Sequence, residues 1–273
     1  MPPPSILHRR RFLQQSAALI GTTRLLKIST PACTLAAEQE EGPYYVDYNN
    51  LRQDITEGKP GLPLRLRVRL VNANTCAPLP KAALDIWHCD ASGVYSAFTS
   101  AAPDGPGGHG EPGFGPPRGF GGPPPHGRPP GPPPAGMGPR DHGALDKTRF
   151  LRGIQITDTD GTAEFITIYP GWYSGRSIHI HCKVHTGGHV SHTGQFFFPE
   201  DMTETIALLD PYAKRLAVHR TTQEEDHVFT EEHGSSGLMK LTRIDSRTNS
   251  GGFIAEAVLA VNPDASPEPV GFG

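Results

Sequence analysis

An all-β fold, a sandwich or barrel with one or two short helices and one long Gly/Pro-rich insert, is what the sequence predicts. Leu64 to Leu70 reads LRLRVRL, alternating apolar and basic residues with the period of a half-buried strand. Further short apolar runs recur along the chain, separated by turn residues, as in sandwiches and barrels. The Gly/Pro excess is local: 27 of the 37 residues from Pro103 to Pro139 are Gly or Pro. Outside that stretch and the N-terminus, about 200 residues of ordinary composition remain, enough for one domain with a real core.

After the first strand, Asn72 to Pro80 supplies turn residues and Ala82 to His88 returns as a second strand. Phe150 to Thr157 and Thr162 to Ile168 flank Asp158-Thr-Asp-Gly161, which reads as a hairpin. Ser177 to Val184 and Gly194 to Phe198 continue the strand pattern. A short helix is expected from about Met202 to Leu209, with Asp201 as its N-cap. Leu238 to Ile244 and Phe253 to Val261 are the last strands. The glycines of the insert have no three-residue period, so it is not collagen-like. With only two Phe and one Met it is too poor in apolar residues to pack, and it is expected to be a disordered loop.

The net charge of -3 with 19% charged residues excludes a nucleic-acid or membrane-surface binder held by long-range electrostatics. Arg9-Arg10-Arg11-Phe12-Leu13 followed by Ser16 to Gly21 is a twin-arginine export pattern. Residues 1–32 are therefore expected to be a leader, 33–273 the domain, and the location periplasmic or extracellular. The uncharged run from Phe12 to Thr23 is 12 residues, too short to span a bilayer, and no membrane span is expected elsewhere. This route carries proteins already folded around a cofactor, which favours a prosthetic group. Cys33, Cys76, Cys89 and Cys182 show no CxxC spacing, which argues against a structural zinc knot. One or two disulfides are plausible in an exported chain. Three full pairings are open, although Cys76 and Cys89, at opposite ends of a strand, are poorly placed for one another.

The chemistry is concentrated around Ser177-Ile-His179-Ile-His181. On a strand, residues two apart share a face, so the two imidazoles project side by side, as two ligands of one metal would. Taken alone, H-x-H is a weak signal. Tyr173 lies six residues before His179 in Pro170-Gly-Trp-Tyr-Ser-Gly175, Arg176 three before it, and Tyr95 follows the second strand in Gly93-Val-Tyr95-Ser. With Glu41-Gly-Pro-Tyr-Tyr45, Asp85-Ile-Trp-His88, Tyr169-Pro-Gly-Trp-Tyr173, Arg176-x-x-His179-x-His181 and Gln195, the sequence resembles the intradiol ring-cleaving dioxygenases. The resemblance runs from about Cys33 to Arg215 and is closest to the secreted branch of that family.

The resemblance implies a β-sandwich of the intradiol dioxygenase type and a mononuclear non-haem Fe(III), with Tyr95, Tyr173, His179 and His181 as ligands. Hard phenolate oxygens suit a hard ferric ion, and the metal would favour the tyrosinate form. It implies that Tyr173 is displaced when a catechol binds and that Arg176 stabilises negative charge developing on the substrate. Gln195 would orient Arg176 or the metal site, and Pro43, Tyr44 and Trp172 would wall the pocket. The partners implied are a catechol-type small molecule and O2, and the product a muconate-type diacid. The long helical N-terminal dimerisation segment of classical catechol dioxygenases has no counterpart here, which leaves the oligomeric state open, a homo-oligomer included. His88 is expected to pack or hydrogen-bond behind the site. His185, His189 and His192 are expected to line a solvated loop, and His109, His126 and His142 to lie in the unstructured insert. Two rival readings stand beside this one. A cupin would need a Glu about four residues after the second His, where Val184-His-Thr-Gly stands instead. A catalytically inactive secreted sandwich binding aromatics or polysaccharide would have no use for all four ligands.

Overall fold

A computed structural model describes residues 33–100, 144–244 and 251–270. The expected leader and the Gly/Pro-rich insert lie outside the described residues. Strand β1 (Pro63–Asn72) runs between β4 (Thr162–Ile168), antiparallel to it, and β8 (Phe253–Val261), parallel to it; β7 (Lys240–Arg243) completes this sheet. The second sheet has the order β3 (Arg152–Ile156), β2 (Ala83–Trp87), β5 (His179–Thr186), β6 (His189–Phe197), all antiparallel. The alternation in β1 places Leu64, Leu66, Val68 and Leu70 between the sheets and leaves Arg65, Arg67 and Arg69 in solvent. Facing them are Leu84, Ile86, Ile180, Cys182, Val184 and Phe196. Each such large apolar side chain removed from water contributes about 1.5–3 kcal/mol.

The same period sends Asp85, Trp87, His179, His181 and Lys183 to the other face of the second sheet, away from this core. They are nonetheless buried. A second apolar cluster covers that face: Tyr44, Tyr45 and Val46 from the N-terminal segment, Ala97 and Phe98 from the loop after β2, packed with Trp87, Cys89 and Tyr95. Hydrogen bonds from Gln39 N to Thr193 O (3.0 Å) and Ala36 N to Ala260 O (2.8 Å) lay the segment down.

Several expectations are corrected. Asp158 to Gly161 is a tight turn, with the Asp158 carboxylate accepting from Asp160 N and Thr162 N at 2.9 and 2.8 Å. It is not a hairpin, because β3 pairs with β2 in one sheet and β4 with β1 in the other. The turn chemistry is local; what it joins is decided by which strand edges are free. Helix α1 (Glu200–Ala207) begins earlier than expected, with Pro199 at the cap, so Asp201 lies in the first turn, where its charge suits the helix dipole. A second helix, α2 (His227–Glu231), is capped by Asp226. His185, His189 and His192 lie on β5 and β6 rather than in a loop, and His192 is buried against Glu38 at 2.7 Å. Cys33 and Cys76 form a disulfide, while Cys89 and Cys182 are buried free thiols.

The chain on either side of the insert is tied together. Leu145 N and Asp146 N both donate to Ala97 O, at 2.7 and 3.1 Å. The Asp146 carboxylate accepts from the amides and hydroxyls of Thr99 and Thr148 over 2.5–2.9 Å. These bonds join residues 97–99 to residues 145–148. Loop-closure entropy changes by only about 0.6 kcal/mol per doubling of length. Replacing residues 103–139 with a short Gly/Ser linker should therefore leave Tm unchanged or raised by no more than about 5 °C. Asp146→Ala, which removes the carboxylate from these bonds, should lower Tm by at least about 2 °C. A melting curve for each variant checks this, and unfolding of the linker variant would contradict it.

Candidate metal centre

Register builds the centre around β5. His179 and His181 leave one face of the strand, and His181 is flanked by Trp87 of β2 and Gln195 of β6. The Trp87 indole stacks on the His181 ring, centroids 4.9 Å apart and planes 3° apart, which fixes the imidazole's orientation. Tyr95 and Tyr173 come from two loops locked backbone to backbone. A Cβ on Gly171 would stand 2.5 Å from Ala91 O, so only glycine allows this approach. The Asp90 carboxylate turns the first loop by accepting from Ser92 N and Val94 N at 2.8 and 3.1 Å.

The four side chains meet. His179 Nε2 lies 3.0 Å from His181 Nε2, 3.3 Å from Tyr173 Oη and 3.4 Å from Tyr95 Oη. His179 Nδ1–H donates to Ser177 O at 2.6 Å, so the proton sits on Nδ1 and the Nε2 lone pair faces the other three donors. One lone pair cannot serve two hydroxyls and a second ring nitrogen. His181 Nδ1 is buried with no partner among the described residues. Burial pushes the Tyr95 and Tyr173 phenols up from their ordinary pKa. Burial, reinforced by the Arg176 charge, holds both histidines well below theirs, so they are neutral donors at pH 7. Among the described residues no group of three His, Cys, Asp or Glu could hold a metal. A cation here would need the tyrosines.

Arg176 is buried beside the quartet. Its Nε donates to Asp226 Oδ1 at 2.9 Å, and its terminal nitrogens to Glu40 Oε1 at 3.0 Å and Gln195 Oε1 at 2.5 Å. Burial alone would depress its pKa; Tyr173, Asp226 and Glu40 more than offset that. Gln195 also donates from Nε2 to Glu40 O at 3.0 Å. Tyr44 stacks on Tyr95 at 4.4 Å and meets Tyr173 edge-on at 6.4 Å, with half-buried Pro43 beside it in sequence. Trp172 packs with the sandwich core, its Nε1 donating to Val218 O at 3.1 Å. His88 is buried behind the site, bonded to Thr167 Oγ1 and Cys89 O at 2.7 and 2.8 Å, as expected. Beyond His181, Lys183 pairs with Glu41 at 2.6 Å, and burial raises the Asp85 carboxyl to about 7.

Sequence reasoning missed Asp226, Glu40 and Trp87 as functional supports. Glu40 and Trp87 adjoin or sit in recognised motifs. Asp226 had only its place ahead of a short apolar run as a signal.

Searches against known proteins divide sharply. No protein-family profile and no curated protein sequence matches the chain. Among solved structures, an intradiol ring-cleavage dioxygenase from Tetranychus urticae is 31% identical at a TM-score of 0.68, the alignment covering 87% of this chain and 98% of that one. The catechol 1,2-dioxygenase of Acinetobacter sp. ADP1 is 18% identical (TM-score 0.51), covering 88% and 67% of the two chains. That of Pseudomonas arvilla C-1 is also 18% identical (TM-score 0.52), covering 86% and 65%. At these identities the latter two support the fold alone.

Gly42 offers a test of the packing over His181. Its φ is +73°, and an added Cβ would lie 2.8 Å from His181 Cε1. Gly42→Ala should cost at least about 1–2 kcal/mol from backbone strain alone and displace the His181 ring. Chemical denaturation and a crystal structure of the variant check both effects; wild-type stability with an unmoved ring would contradict this reading.

Proposed function

The chain belongs to the intradiol ring-cleavage dioxygenase family, and from that premise we propose that it is a mononuclear Fe(III) enzyme for catechol-type substrates. It would use O2 to open the ring between the two hydroxyl-bearing carbons and release muconate-type diacids. The observation that carries the proposal is the convergence of a second imidazole and two phenols on one imidazole, with His181 Nε2, Tyr173 Oη and Tyr95 Oη lying 3.0–3.4 Å from His179 Nε2. First-row metals bind such donors at about 2 Å, which separates neighbouring ligands by roughly 3 Å. Tyr95, Tyr173, His179 and His181 would hold the ion. Bound Fe(III) would supply a Lewis acid able to hold both phenolates and to make a chelated diol electron-rich toward O2.

The chain's own residues divide the remaining work. Tyr95 is sealed under Tyr44 and 1% exposed, whereas Tyr173 is only partly buried. With the ion bound, Tyr173 would thus be the phenolate placed to take a proton at its Oη from an incoming diol and leave as the phenol, and Tyr95 the one that stays. Arg176 spends three of its N–H groups on Asp226, Glu40 and Gln195, and its other two have no partner among the described residues. Those two would meet negative charge developing on the substrate, in a site where exclusion of water strengthens the interaction. Tyr44 and Pro43 are proposed as pocket walls, whereas Trp172, expected to be a third, packs with the sandwich core.

Export is proposed as well. The Cys33–Cys76 disulfide is of the kind that persists in oxidising compartments, and it agrees with a twin-arginine leader ahead of residue 33. No helix among the described residues is long and apolar enough to cross a membrane.

His179→Ala and His181→Ala should each lower bound iron by more than about tenfold while the sandwich still folds; full iron occupancy in both would place the metal elsewhere. Tyr173→Phe should retain part of the iron and the tyrosinate charge-transfer colour but lose turnover of catechol. Tyr95→Phe should alter the resting colour itself. Identical visible spectra for wild type and both variants, with and without catechol, would overturn the division of roles.

A further inference from the structure

We infer that Asp226 is the positioning residue that sets Arg176, and the start of the ligand strand, for the reaction at this centre. The inference rests on the iron-enzyme reading for what Arg176 does, but not for how Arg176 is held. Asp226 is fully buried. Its Oδ1 accepts from Arg176 Nε at 2.9 Å and Val228 N at 3.0 Å. Its Oδ2 accepts from Ser177 N at 2.9 Å and Ser177 Oγ at 2.6 Å.

These four bonds tie three things to one carboxylate. The first is the α2 backbone, which Asp226 caps. The second is the guanidinium of Arg176, held at the Nε end while its two terminal nitrogens reach Glu40 and Gln195. The third is Ser177, whose carbonyl accepts a hydrogen bond from His179 Nδ1–H at 2.6 Å. Glu40 and Gln195 contact only the terminal nitrogens, which a rotation about the guanidinium could re-pair; Asp226 fixes the one nitrogen on the arginine stem. An asparagine of the same size has only one acceptor oxygen. Either Ser177 or Arg176 would then face an NH2 group, donor against donor. Rigid support from a neighbouring shell is what holds a reacting group within the sub-ångström tolerance such chemistry requires.

The test uses the full chain, first without metal. The Nε–Hε signal of Arg176, identified by its loss in Arg176→Lys, is followed by NMR hydrogen exchange. In Asp226→Asn this Hε should exchange at least about tenfold faster than in wild type. With iron loaded, kcat for catechol should fall by about tenfold to a hundredfold, KM should stay within about threefold, and iron content should hold. Val228→Ala is the structural control: it hollows the same helix without touching Arg176, and should lower Tm while leaving Hε exchange and kcat alone. If Asp226→Asn does not fold, the same readouts are taken on Asp226→Glu, which moves the carboxylate by one methylene. Wild-type Hε exchange in the Asp226 variant, or a kcat loss no greater than that of Val228→Ala at equal Tm loss, overturns the proposal. A wild-type protein that binds iron but leaves catechol intact would instead sink the enzymatic reading, and the metal-free exchange data would still decide the role of Asp226.

Discussion

Two imidazoles project from the outer face of β5, on the side of the sheet that a sandwich ordinarily leaves to water, and the rest of the structure answers to that placement. Buried polar groups must find partners or a cation. The fold therefore builds a second roof over this face from the N-terminal segment and the loop after β2. Trp87 and Tyr44 supply the flat aromatic surfaces that orient His181 and Tyr95. Gly42 and Gly171 permit the close backbone approaches that bring the roof and the tyrosine loops down onto the strand.

Charge is arranged with the same economy. The quartet is neutral as it stands, since burial favours phenol over phenolate and imidazole over imidazolium. A trivalent ion bound there would reverse the preference at the phenols, so the proposed site would discriminate by charge as well as by donor type. Beside it, the Arg176 cation is shared between two buried carboxylates. Such a group costs stability to bury unless it is paired, and Asp226, Glu40 and Gln195 take three of its five N–H groups.

Much of this was legible in the sequence, for physical reasons. β1 and β8 could be read because period-two alternation and β-branched runs survive any tertiary context. That the four side chains of the quartet belong together could be expected from the resemblance to the intradiol dioxygenases, since H-x-H on a strand puts both rings on one face and the tyrosines lie in that family's motifs. What escaped was whatever depends on contacts distant in the chain. Asp158 to Gly161 carries hairpin chemistry, but nothing local says that β3 and β4 belong to different sheets. His192 looks like a loop residue until Glu38, 154 positions away, is seen to meet it. Asp226 lies 50 residues from the arginine it holds, on a helix of five residues too short to announce itself by periodicity.

The central claim is that two tyrosines and two histidines on this outer face form one ferric site. Diffraction from crystals of the iron-loaded protein, with data collected on either side of the iron absorption edge, tests it most directly. The account predicts a single strong anomalous peak bounded by Tyr95 Oη, Tyr173 Oη, His179 Nε2 and His181 Nε2. A peak at any other place, or fully loaded protein with none among these four atoms, would contradict it.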